Sequence, residues 1–209
     1  LQQANGAGAN FEGADFEGTS LSGADLRGSV LRRTSFEGAD LRNVLLAGTD
    51  FSEGTLAGST LIGMDLSRCR FDRTDLRDAL LDGATLRDAS FREANLEGAR
   101  FASADLEGAD LTDARLAKSD LSGAKGLAGN FTGASFAQVK LDRTDLRRCS
   151  FAKADLRGAS LREANVMGVR LDGANLSGAI LADAILDEAV LPGARLTKAD
   201  LTRACCRKA

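Results

Sequence analysis

Hydrophobic and polar positions alternate along this chain with a period of five. Every fifth residue from Leu1 to Cys206 is Leu or Phe, except Gly6, Gly126, Val166 and Cys206, and all ten Phe fall in this register. Two residues before each of these centres stands a small residue, most often Ala, with Met64 the one large exception. Asp, Asn or Ser recurs between the small residue and the centre, as in Asp15, Asp25, Asp40 and Asn95. Nineteen of the 23 Gly stand two residues after a centre, and the phase never slips. A helix turns ~100° per residue, so a period of five carries the leucines round every face. On a flat strand, five steps put successive leucines on opposite faces. The pattern instead predicts a short extended piece followed by a turn. The small residue and the centre, two apart, point inward, and the residue between them points outward. Gly at the corner accepts a positive φ. Coils stacked ~4.8 Å apart then pair edge to edge.

The spacing of Phe sets the size of the coil. Counted modulo 20, Phe11, Phe51, Phe71, Phe91, Phe131 and Phe151 share one column. Modulo 15 they scatter. Twenty residues per coil, four sides and about ten coils are expected, a rod roughly 50 Å long. ADFEG, ADLRG, ANLEG, ADLEG and ANLSG resemble the A(D/N)LXX motif of the pentapeptide repeat proteins, across residues 4–206. The resemblance implies an all-β, right-handed quadrilateral β-helix. One such domain spans residues 1–209, with the expectation that it is a piece of something longer or that its ends pair with another chain.

Composition narrows the chemistry. The chain has no His, which removes Ser-His-Asp and Cys-His catalysis and any His metal ligand. Cys69, Cys149, Cys205 and Cys206 lack zinc spacing. Twenty-seven basic and 30 acidic residues leave a net charge of -3 with mixed signs, unlike a general nucleic-acid binder. No apolar run approaches the ~18 residues of a membrane span, and the opening LQQANGAGAN is no signal peptide, so a cytoplasmic protein is expected. No cofactor is called for. The basic run from Lys140 to Arg162 reads as a solvated face. The carboxylates Asp72, Asp75 and Asp78, and Asp105, Glu107, Asp110 and Asp113, fall on different sides and corners of the coil.

Function is sought where the repeat departs from itself. Residues 125–130 put Gly126 at a centre and Gly129 at a small position. Leu127 is expected to turn in and fill the gap as a local bulge, or else to mark a kinked edge that a partner grips. Ile180, Ile185 and Val190 occupy three successive outward positions, a belt near the C-terminal coils. Ile180, Ile185, Val190 and Leu127 are therefore the candidate interface residues. Val30, Leu45, Leu80 and Ile62 read as ordinary surface. The leading expectation is a non-catalytic interaction scaffold that presents or spaces a protein partner or adjoining domain, with a homodimer through the C-terminal coils one form of it. The alternatives are a DNA-mimicking protector of gyrase or another topoisomerase, implied by some relatives within the resemblance, and a secreted effector or secretion-apparatus domain.

Overall fold

A computed structural model describes residues 1–209. The chain is a stack of coils built from one five-residue unit used without interruption. In every unit but that of Thr34, the N–H of the small residue donates to the carbonyl of the preceding centre, as from Ala14 to Phe11 at 2.9 Å. The third residue of that turn has φ between 55° and 74° in every unit, as a type II turn requires. Glycine occupies 19 of these corners and other residues 23, among them Arg33, Asp78 and Arg143 with the same φ, so the coil imposes the conformation on side chains that disfavour it.

From Asn5 with Asp25 to Ile185 with Cys205, each outward residue except Asp40 and Leu45 forms a single parallel bridge with the residue twenty further on. The coil therefore has twenty residues and four sides. The bonds run along the axis in a fixed order. A centre N–H donates to an outward carbonyl of the next coil, as from Leu96 to Arg115 at 2.7 Å. An outward N–H donates back, as from Arg115 to Ala94 at 2.9 Å.

The recurring Asp or Asn has a local task. Its Oδ1 accepts the N–H two residues on, as from Glu17 to Asp15 and from Thr112 to Asp110. This Asx turn satisfies an amide that the ladder leaves free. Inside, the centres pack on one another and on the small residues. The rings of Phe51 and Phe71 stack with centroids 5.2 Å apart, and those of Phe71 and Phe91 at 4.8 Å. The column expected of centres twenty apart is thus present. Thr49, Cys69 and Thr74, at small positions, donate inward to carbonyls of the preceding coil, which lets a polar atom sit in the core. No helix is long and apolar enough to cross a membrane.

Candidate protein-interaction site

The ladder fails at one step. Asp40 does not bridge Thr60, and Leu45 does not bridge Asp65, although the sides before and after are paired. The N–H groups of Gly38, Leu41, Asn43 and Leu46 find no carbonyl in the next coil, and those of Thr60 and Asp65 find none in the previous one. The ladder resumes at once on either side, from Phe36 to Thr55 at 3.2 Å and from Gly48 to Ser67 at 2.8 Å. The result is a seam that opens on two adjacent sides, the corner between them and the corner at Gly38 before them. Two hollows of about 370 and 460 Å³ lie along it and share Arg42 and Thr60. Leu45 and Ile62, 48% and 53% exposed, flank the second, and Val44 and Met64 line its floor.

Side-chain volume accounts for the break. Val44 and Met64 stand twenty residues apart at small positions, so they stack directly where Ala lies above Ala elsewhere. Ala24 and Ala84 flank them in the same column. Single β-branched residues are tolerated: Val139 and Val169 are buried at small positions, and both sides of their coils remain paired. Two oversized residues in succession exceed what the stack accommodates, and overpacking is relieved by moving backbone. The seam is confined to one step, because Leu45 still donates to Ala24 and Thr85 still donates to Met64, both at 2.9 Å.

The second departure, at residues 125–130, behaves otherwise. The ladder continues through it, from Gly126 to Asp145 at 2.8 Å and from Ala128 to Arg147 at 3.1 Å. The bulge expected of Leu127 does not form; Leu127 keeps its turn position, half-buried, and its carbonyl accepts from Gly108 at 3.2 Å. The space left by Gly126 is taken by Leu146 of the coil above and by Phe131 on the next side. A Cβ there would meet Leu146 Cδ2 at 2.9 Å and Phe131 Cζ at 3.4 Å. The bare carbonyl of Gly126 also accepts from the Cys149 thiol at 2.6 Å.

The C-terminal belt lies where the register puts it. Ile185 and Val190 are 41% and 45% exposed, and Ile180 on the next side is half-buried. The belt and the seam are far apart along the axis, and the structure does not bring Leu127 to either. The seam could have been found in the sequence from Met64 together with Val44. Leu45 and Ile62, read singly as ordinary surface, gather at it.

Much of the charge elsewhere is paired off. In the repeated Asp-Leu-Arg the guanidinium folds back on the carboxylate two residues earlier, at 2.6 Å for Arg27 with Asp25 and 2.8 Å for Arg42 with Asp40. The Arg42 side chain, aided by its backbone N–H, holds the Asp40 carboxyl down to about 2. Arg33, Glu53, Arg73 and Glu93 alternate up one corner, joined at 2.9 Å and 3.2 Å. Asp72, Asp75, Asp105 and Asp110 each face an arginine rather than one another. Burial pushes the Cys69 and Cys149 thiols up to about 12, so neither is a thiolate nucleophile.

A chain of four-sided coils with these turns has relatives. The sequence matches the family model for pentapeptide repeats in eight copies, over residues 1–33, 9–48, 49–88, 69–108, 89–125, 130–166 and 167–205. The chain belongs to the pentapeptide repeat family. Among solved structures, it is similar to HetL, a pentapeptide repeat protein involved in heterocyst differentiation regulation from Nostoc sp. strain PCC 7120. The two are 29% identical over 98% of this chain and 90% of HetL, with a TM-score of 0.44. Rfr23 from Cyanothece 51142 is 33% identical over 46% of this chain and 63% of that one, with a TM-score of 0.41. QnrB1, a plasmid-mediated fluoroquinolone resistance protein, is 18% identical over 92% of this chain and 89% of its own, with a TM-score of 0.29. No curated protein matches the sequence.

Proposed function

We propose that this pentapeptide repeat chain is a non-catalytic protein-interaction scaffold, a right-handed rod of about ten coils that works through its outer surface. The observation that carries this reading is the pair Ile185 and Val190, apolar and exposed on adjacent sides of one coil, in a stack whose outward positions are mostly polar. The interior is lined by Leu, Phe and Ala and offers no chemistry, and both buried thiols are protonated. The rod presents the belt of Ile180, Ile185 and Val190 to a second copy or to an adjoining domain. A DNA-like inhibitor of gyrase needs a continuous acidic face. Here the carboxylates are interleaved with arginines at ion-pair distance, which favours the scaffold.

The test replaces Ile180, Ile185 and Val190 together with Asp, a residue the register accepts at outward positions. Circular dichroism should be unchanged. Light scattering at ~100 μM should show association of the natural chain and its loss in the triple variant, since a contact of standard size holds at micromolar concentration or better. Unfolding of the triple variant would make the belt structural and remove the reading.

A further inference from the structure

We propose that the seam between residues 38–46 and 57–65 is a binding site for an extended peptide, held by backbone hydrogen bonds as an added strand is. The lower lip offers the free N–H groups of Leu41, Asn43 and Leu46. The upper lip offers the carbonyls of Thr60, Ile62 and Asp65, which accept nothing from below. At every other step of the stack, the same two sets of groups are satisfied by an extended backbone. The unmet groups therefore specify polypeptide as the occupant, because only a peptide presents donors and acceptors at this spacing.

The side chains narrow its composition. Val44 and Met64 line the floor and Leu45 and Ile62 the rim, so apolar residues are favoured along the segment. Arg42 is held by Asp40. Arg68, at the corner beyond Asp65, forms no ion pair and shares a third hollow with Arg87 and Asp88, two cations to one carboxylate, so an acidic residue is favoured at that end. This site is separate from the C-terminal belt and does not depend on it.

The test uses the full chain and a synthetic peptide copying residues 79–88, ALLDGATLRD, whose backbone follows the coil that stacks on the upper lip. In the free protein, the amides of Leu41, Asn43 and Leu46 should exchange rapidly with solvent. Adding the peptide should slow them by roughly tenfold or more. Met64→Ala, which lets the coils close, should weaken peptide binding by at least roughly tenfold. The same peptide methylated on its ladder nitrogens should fail to protect those amides, whereas Ile185→Asp should bind like the natural chain. Slow exchange of these amides without peptide would overturn the proposal. So would their failure to slow at about 1 mM peptide, or binding that survives both Met64→Ala and backbone methylation.

Discussion

The repeat is violated twice, in opposite directions, and the two places respond differently. At Gly126 a centre is too small; at Val44 and Met64 two small positions are too large. The hole leaves the ladder intact, because Phe131 and Leu146 lean into it from neighbouring positions. The wedge breaks the ladder on two sides and exposes apolar side chains. A solenoid meets an underfilled coil with side-chain movement alone, since rotamers can reach inward. An overfilled coil has no such recourse. Its walls are single bridges, each net bond is worth about 0.5–1.5 kcal/mol, and an inserted side chain costs about 1–3 kcal/mol, so separating the coils competes with compressing the core.

The largest effect should come from moving the wedge. Ala84→Val with Ala104→Met places the same pair in a fully buried, fully paired stretch. It should cost roughly 2–4 kcal/mol in a urea melt and open a second seam near Asp105. Filling the hole should also destabilise. Gly126→Leu restores the consensus centre, but Phe131 and Leu146 already occupy the space, so a loss of about 1–3 kcal/mol is expected by the same measurement. Removing the wedge with Met64→Ala should stabilise by about 1–2 kcal/mol, provided the ladder closes. Arg143→Gly, at a corner with φ of 56°, should gain about 0.5–1 kcal/mol without touching either region.

Acid should separate the two regions least. Asp40 beside the seam and Asp145 beside Gly126 both have lowered carboxyls, each through the arginine two residues on. A lowered pKa contributes stability that is complete above the ordinary carboxylate value of ~3.9. For Asp40 it is lost as the pH falls through about 2. Both corners should loosen together on acidification, seen as parallel shifts of the Arg42 and Arg147 side-chain resonances. A shift at one alone would contradict the equivalence of the two turns.

Much of the fold was legible because the period is short and unbroken. Five residues fit neither helix nor flat strand, and stacked Phe set the coil at twenty. The recurrence of Asp was visible, but not its reason, since an Asx turn depends on the corner geometry that frees the amide two residues on. Leu127 was misjudged because an empty centre suggests its nearest apolar neighbour as the filler, while the space is open to Phe131 on the next side and to Leu146 in the coil above. The seam was missed for a related cause. Met64 stood out alone, and Val44 did not. Their conflict exists only once residues twenty apart are stacked, and Leu45 and Ile62 become a patch only when the coils part.

Amide hydrogen exchange resolved by residue tests the wedge most directly, in the natural chain and in Met64→Ala side by side. The account predicts that Leu41, Asn43, Leu46, Thr60 and Asp65 exchange rapidly in the natural chain and become protected in Met64→Ala, while Gly126, Ala128 and Gly129 are protected in both. Equal protection of the two regions in the natural chain, or a seam that stays unprotected after Met64→Ala, would contradict it.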